Sequence, residues 1–279
     1  PKFHLYRANV AILTGMAWDH INVFPTFEKY KIAFIDFLKS MEPGGTLIYN
    51  SDDIELKELV LADNSPIRKI PYSIPEYRID GIKWVWCTPQ GDLNLNFIGK
   101  HNLSNAEGAR WLAQEMGIQA EEFYDAISSF RGADRRLETL GKGRRRSVHL
   151  DFAHAPSKVR ATVEAYVETF PKTIKIGLLE LHTFSSLNPD FISGYHNIMS
   201  GMDQSIVFYD PQAVAHKNLP KLEKSTVETS FGKGIKVLTD IDELRIMFDN
   251  LPNSCNLLVM SSGNLGGFDI RAYSKKWVS

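Results

Sequence analysis

The sequence predicts an α/β fold in two domains, and three observations predict it. After residue 147, short apolar runs alternate with amphipathic stretches, the pattern of a parallel sheet with right-handed crossovers. Within that region Val148-His-Leu-Asp-Phe152 reads as a buried strand, and Pro156 opens a helix with an apolar stripe at Val159, Val163, Tyr166, Val167 and Phe170. Before it, residues 66–98 are rich in strand formers and turn residues, a hairpin pattern unlike the βα alternation that follows. A length of 279 residues accommodates two ordinary domains.

In chain order, Val10–Thr14 is a short buried strand that ends in Gly15-Met-Ala-Trp-Asp19-His20. Phe27, Tyr30, Phe34, Phe37 and Leu38 mark an amphipathic helix, stopped by Pro43-Gly44-Gly45. Thr46–Tyr49 is a second strand, and Asp52-Asp53 open a short helix with acids at the favourable end. Ile79–Cys87 and Leu93–Ile98 form a hairpin around Pro89-Gln-Gly-Asp92. Gly99 leads into a helix with Ala109, Leu112, Ala113 and Met116 on its apolar face and Gly117 as its stop, and a second helix runs from Glu121 to Phe130. Lys142-Gly-Arg-Arg-Arg146 reads as an exposed linker, which puts the boundary between domains 1–142 and 143–279. Beyond it come strands at Ile174–Leu181, Ser205–Tyr209, Lys236–Leu238 and Leu257–Ser261. Helices are predicted at Phe191–Met199 (on Phe191, Tyr195, Ile198 and Met199), at 225–231, from Asp240 to Asn250, and at the C-terminus.

Formal net charge is -1, so no global field recruits nucleic acid or an anionic membrane. Cys87 and Cys255, the only cysteines, suit a reducing cytoplasm better than a disulfide scaffold. No apolar run reaches the roughly 20 residues of a membrane span, and no signal-peptide pattern opens the chain. The sequence begins without Met, and the expectation is a fragment of a longer protein.

The candidate chemistry clusters at predicted strand ends, where open α/β sheets bind ligands. Asp151 and His154 follow one strand, and an acid there can accept from sugar hydroxyls or cap the helix. His182-Thr-Phe-Ser-Ser186, Asp210 and Ser262-Gly-Asn-Leu-Gly-Gly267 follow others along the same edge. Asn102 and Asn105 stand three apart at a helix start, and their amides match an adenine edge as well as a helix cap. Arg131, Arg135 and Arg136 provide guanidinium forks suited to phosphate, or a solvated charged loop. His20 beside Asp19 offers one metal-binding imidazole, with no further ligand at metal-site spacing. No Gly-x-x-x-x-Gly-Lys-Ser/Thr phosphate loop occurs.

Taken in order, four motifs resemble the Mur ligases, the ATP-dependent amide-forming enzymes of bacterial cell-wall synthesis. They are Ile12-Leu-Thr-Gly-Met-Ala-Trp-Asp-His20, Gly99-Lys-His-Asn-Leu-Ser-Asn105, Phe130-Arg-Gly-Ala-Asp-Arg-Arg-Leu-Glu138 and Asp151-Phe-Ala-His-Ala-Pro156. The resemblance implies the back part of the family's central ATP-binding domain followed by its Rossmann-like C-terminal domain, with ATP and Mg2+ as cofactors. It gives His20 to magnesium, Asn102 and Asn105 to adenine, Arg136 to the ATP phosphates, and Asp151 to the ribose with His154 beside it. His182, Thr183, Ser185, Ser186 and Asn264 fall at the acceptor site; arginine-containing versions of the His182 loop occur in relatives, and this one has none. Pro1-Lys-Phe3, Asp19-His-Ile-Asn-Val-Phe-Pro25 and Leu258-Val-Met-Ser-Ser-Gly-Asn264 resemble the members that reattach a recycled L-Ala-γ-D-Glu-meso-diaminopimelate tripeptide to UDP-N-acetylmuramate. Members that add L-alanine to the same sugar nucleotide are the alternative, and a non-catalytic nucleotide-binding module is a further one. Without the family's UDP-sugar domain and phosphate loop, residues 1–279 alone are expected to be inactive.

Overall fold

The computed structural model describes residues 5–278. They form two compact units that divide between Arg131 and Gly132. In the first, β1 (Val10–Leu13), α1 (Phe27–Ser40), β2 (Thr46–Asn50), α2 (Ile54–Ala62) and β3 (Arg68–Tyr72) build a three-stranded parallel sheet in the order β1-β2-β3. Side-chain caps start both helices: Thr26 accepts from the Lys29 amide and Asp53 from the Leu56 amide. The apolar faces of α1 and α2 close on β2, burying Leu38, Leu47, Tyr49, Leu56 and Val60. β1 pairs only with β2 among the described residues, and Val10 on it is exposed.

A three-stranded antiparallel sheet follows, made of β4 (Tyr77–Asp80), β5 (Lys83–Thr88) and β6 (Gly91–Asn94). The predicted single strand Ile79–Cys87 is in fact two strands. Gly81, at φ +65°, makes a tight turn between Asp80 and Lys83, which only a residue without Cβ adopts readily. The partner strand is Gly91–Asn94, not Leu93–Ile98; Leu95 and Phe97 instead join Trp84 and Trp86 in a small core closed by α3 (Lys100–Glu115) and α4 (Ala120–Ser129). α3 also lies against the parallel sheet, where Gly108 permits close approach: a Cβ there would sit 2.7 Å from Ile12 and 2.8 Å from Tyr72.

The second unit is one six-stranded sheet. Its strands are β7 (Glu138–Lys142), β8 (Arg146–Asp151), β9 (Lys175–Leu181), β10 (Gln204–Tyr209), β11 (Ile235–Leu238) and β12 (Cys255–Met260), in the order β11-β10-β9-β12-β8-β7. All neighbours are parallel except β7 with β8. Its helices are α5 (Pro156–Thr169), α6 (Pro211–His216), α7 (Lys224–Phe231), α8 (Ile241–Asp249) and α9 (Ile270–Trp277). The alternating sequence pattern thus gives the parallel sheet it implied.

Two expectations change. Lys142–Arg146 is the turn of the β7–β8 hairpin, closed by the Gly143 amide on the Arg146 carbonyl, and not an interdomain linker. Its composition has a local cause: a Cβ on Gly143 would come within 2.2 Å of the Val278 carbonyl oxygen, while Arg144 and Arg145 are simply solvated. Phe191–Met199 is not an α-helix but a single 3-10 turn over Ile192–Tyr195. Asn197, in the left-handed region at φ +54°, turns the chain there and donates its amide to the Phe231 carbonyl.

The position of β12 organises this unit. It is last in sequence but lies between β8 and β9, with Met260 level with both Asp151 and Leu179. The chain leaves β8, β9 and β12 along one edge, the crevice of a topological switch point.

One buried group ties stability to pH. The His149 imidazole on β8 lies 2.9 Å from the Tyr166 hydroxyl, and burial, aided by Lys142, pushes its pKa down to about 4. The unfolded value is roughly 6.5, so the unfolded chain binds the proton first. The neutral ring's stabilisation is complete above about pH 6.5 and is lost as pH falls toward 4, by about 3 kcal/mol in total. Urea unfolding between pH 7 and 4.5 should show this slope, and His149→Gln should flatten it.

Candidate functional site

At the end of β8 the Asp151 carboxylate is buried at 2% exposure, with partners on both oxygens. Oδ1 accepts from the Ala153 amide (2.7 Å) and the Thr162 hydroxyl (3.3 Å), and Oδ2 from the Leu137 amide (2.8 Å). The Phe152 amide donates to the Arg135 carbonyl at 2.7 Å. Together these bonds strap the arginine loop onto the strand. Arg135 and Leu137 both take left-handed backbone conformations, φ +53° and +49°, on either side of Arg136. Such conformations persist where surrounding contacts over-determine them. Arg136 itself is exposed, and no ion pair to it exists among the described residues. His154 is buried beside Phe152, with Nδ1 2.9 Å from the Phe152 carbonyl, and its own carbonyl accepts from the Tyr195 hydroxyl.

A second buried carboxylate, Glu180 near the end of β9, was not singled out by the sequence. Its oxygens accept from the Ser261 hydroxyl and from the Leu265 amide at 3.0 Å, and its Oε1 lies 3.8 Å from His182 Nδ1. Glu180 therefore joins the β9 and β12 loops. Gly263 packs so closely here that a Cβ would meet the His182 ring at 2.6 Å and Glu180 at 2.8 Å. The signal for Glu180 was present: it is an acid inside the apolar run Leu178-Leu-Glu-Leu181. A charge in a buried strand requires partners.

The remaining candidates of this unit divide. His182 is half-buried and Asn264 exposed. Thr183 and Ser186 bond to each other, each hydroxyl accepting from the other residue's amide at 3.0–3.1 Å, and Ser185 and Ser186 are buried. Asp210 caps α6 through the Gln212 amide. Ser262 Oγ is buried without a partner among the described residues.

His20, Asn102 and Asn105 belong to the first unit. His20 follows β1 in a left-handed conformation (φ +58°), with its amide on Asp19 Oδ1 at 2.7 Å and its imidazole exposed, 3.9 Å from Asp19. Asp53 ties the same loop to α2 by accepting from the Met16 amide at 2.7 Å as well as capping its helix. Asn102 sends its amide back to the Ile98 carbonyl (2.8 Å), while Asn105 is exposed on the same helix. Among the described residues no three His, Cys, Asp or Glu side chains converge on a metal position. His20 with Asp19 supplies at most part of a magnesium shell, an ion that commonly completes its coordination with water and phosphate oxygens. No described helix is long and apolar enough to cross a membrane.

The fold is that of a two-unit α/β protein whose strand-end loops gather polar side chains. Residues 3–113 match the Mur ligase middle domain. A UDP-N-acetylmuramate–L-alanine ligase from Roseiflexus sp. is 26% identical over 63% of this chain and 44% of its own length. The chain thus spans about half the length of the curated relatives it matches. Two solved structures share the fold. MurF from Acinetobacter baumannii has a TM-score of 0.74 at 17% identity, covering 97% of this chain and 61% of its own. A murein peptide ligase from Psychrobacter arcticus has a TM-score of 0.61 at 18% identity, covering 97% and 58%.

Removing the Glu180 carboxylate should expose its structural share. Glu180→Ala leaves the Ser261 hydroxyl and Leu265 amide without an acceptor and should destabilise the second unit by about 2–4 kcal/mol. Glu180→Gln keeps an acceptor for Leu265 and, with the Ser261 hydroxyl rotated, should stay within about 1 kcal/mol of the parent in urea denaturation.

Proposed function

We propose that this chain is the nucleotide-binding and acceptor-binding part of an ATP-dependent ligase that forms an amide bond on UDP-N-acetylmuramate. One observation carries the reading: a Mur ligase middle domain is followed by a unit whose switch-point edge gathers the Arg136 loop, His154, His182 and Asn264. In this reading Asn102 and Asn105 contact adenine, Arg136 neutralises phosphate charge, and His154 lies beside the nucleotide. Asp151 serves it chiefly by holding the Arg135–Leu137 loop, because its oxygens already have partners. His182 and Asn264 face the acceptor, on a loop whose shape is set by Thr183, Ser185 and Ser186.

The reaction class follows from the chemistry of a carboxylate, whose own oxygen is a poor leaving group. A muramate carboxylate oxygen attacks the γ-phosphorus of ATP, ADP leaves, and an acyl phosphate forms. The acceptor amine attacks the carbonyl carbon, loses a proton, and inorganic phosphate departs as the C–N bond is completed. Positioned cations supply most of what phosphoryl transfer needs, and Arg136 is this chain's candidate. Magnesium would supply further charge neutralisation with His20 as one ligand.

For the acceptor, the Asp19–Pro25 and Leu258–Asn264 segments favour the recycled tripeptide; Pro1-Lys-Phe3 lies outside the described residues. L-alanine is supported at least as well by relatives named for that reaction. The proposed compartment is the cytoplasm.

Phosphate release by the parent protein with ATP, magnesium and UDP-N-acetylmuramate tests the proposal. Turnover with the tripeptide alone supports the recycling ligase, turnover with L-alanine alone selects the biosynthetic one, and no turnover with either rejects both. Arg136→Ala should lower kcat by at least about 100-fold, in line with the loss of a charge-stabilising donor. Residues 1–279 alone, lacking a phosphate loop, should show no turnover.

A further inference from the structure

The formal net charge of -1 averages an uneven surface. At the amino ends of β8, β12 and β9, four segments without a single acid come together: residues 139–150, 170–179, 250–260 and 270–278. They carry Lys142, Arg144 and Arg145 at the β7–β8 turn, Lys275 and Lys276 in the last turn of α9, and Lys172 just before β9, all of them exposed. No ion pair holds Lys142, Arg144, Arg145, Lys172 or Lys276 among the described residues. The acids at the margins do not cancel this charge. Asp203 is taken by Lys175 at 3.2 Å, Asp249 lies beside Tyr273 on the flank, and Glu168 is half-buried on α5.

Tertiary contacts fix these cations at one end of the unit. The Ser147 hydroxyl donates to Asn256 Oδ1 (2.6 Å) and the Asn256 amide to the Thr173 hydroxyl (2.8 Å), which stitches the starts of β8, β12 and β9 into one edge. The Arg146 guanidinium lies 5.0 Å from the Trp277 ring centroid and donates to the Trp277 carbonyl at 2.8 Å, tying the turn to the end of α9. Neighbouring strands are about 4.8 Å apart, so the edge from β9 to β7 spans roughly 14 Å. That is less than two Debye lengths of about 8 Å at physiological salt, so the charges act as one field.

We propose that this end of the second unit docks on an anionic phospholipid surface, with its cations against the headgroup phosphates. Single-stranded nucleic acid is held on aromatic platforms as well as cations. Here Tyr273 and Trp277 are half-buried, and the Trp277 ring lies under Arg146. Ile174, 44% exposed at the start of β9, is instead an aliphatic side chain of the kind that enters the headgroup boundary. The carboxyl edge that bears Asp151 lies at the opposite end of the strands, roughly 20 Å away along six-residue β8, so docking leaves it open. Each cation near such a surface strengthens binding roughly fivefold. With no long apolar helix to add to that, attachment is reversible and salt-sensitive. The proposal does not depend on the ligase reading.

Co-sedimentation of the whole 279-residue chain with lipid vesicles tests this without turnover. The vesicles are phosphatidylcholine alone, or phosphatidylcholine mixed with an equal amount of phosphatidylglycerol. The chain should bind the mixed vesicles at least tenfold more tightly in about 0.05 M salt, and should leave them in about 0.5 M. Arg144→Gln combined with Arg145→Gln should weaken binding about 25-fold, while the lysine pair Arg144→Lys and Arg145→Lys should bind as wild type. Lys233→Gln combined with Lys236→Gln removes the same net charge at β11, on the far side of the sheet, and should leave binding unchanged. All four positions are exposed, so each variant should keep the wild-type urea midpoint. Absence of binding to the mixed vesicles, equal losses from the two glutamine pairs, or binding that persists in high salt would overturn the proposal. Displacement from the vesicles by duplex RNA at equal phosphate concentration would overturn it too, by making nucleic acid the better partner.

Discussion

The Asp151 carboxylate is the interaction on which the second unit's edge depends. A buried anion without partners would be strongly unfavourable, and Asp151 is held by two backbone amides and one hydroxyl. The same bonds stop the chain after β8, set the entry into α5, and clamp the arginine loop that precedes β7. The two left-handed residues around Arg136 each carry strain of about 1–3 kcal/mol, and the Asp151 clamp contributes to offsetting it. An arginine in a loop is ordinarily mobile. Here the backbone that carries Arg135 and Arg136 is fixed, so their guanidinium groups start from a restricted volume.

This device recurs at strand ends. Glu180 receives the Ser261 hydroxyl and the Leu265 amide after β9. Asp53 receives the Met16 and Leu56 amides after β2, and Asp52 the Ile74 amide at 2.7 Å. In each case an acid at the carboxyl edge of a parallel strand accepts amides from the next loop, or from the loop of a neighbouring strand. Loops leaving a parallel edge have backbone donors that no ladder satisfies, and a short acid is the local remedy. The loops are thereby shaped before any ligand arrives.

The arrangement divides labour among the polar residues of the edge. Asp151, Glu180, Thr183 and Ser186 have their hydrogen-bonding capacity filled internally and act as framework. Arg135, Arg136, His182, Asn264 and Asp269 retain hydrogen-bonding capacity toward solvent. Sequence motifs mix the two kinds, because framework and contact residues stand side by side in the same loops.

Much of this protein was legible in its sequence. Hydrophobic alternation, proline at the start of α5 and acids at helix starts are local signals, and they located most strands and helices and the parallel class of the second sheet. The spaced motifs pointed to the Mur ligase family, and residues 3–113 match that family's middle domain. Where local and tertiary forces differ, the sequence was insufficient. Phe191, Tyr195, Ile198 and Met199 have helical spacing, yet only a 3-10 turn forms there, and Tyr195, Ile198 and Met199 are buried around it without a helix. The run Lys142–Arg146 has a linker's composition but a hairpin's geometry, imposed by pairing of β7 with β8 and by the close passage of Val278. The placement of β12 between β8 and β9 is a choice among pairings far apart in the chain. That choice alone brings Glu180 to Ser261, and Arg135 to Asp269 across one cavity. Residue types and their local periodicity are written in the chain; which distant charges share a wall is settled only when the sheet closes.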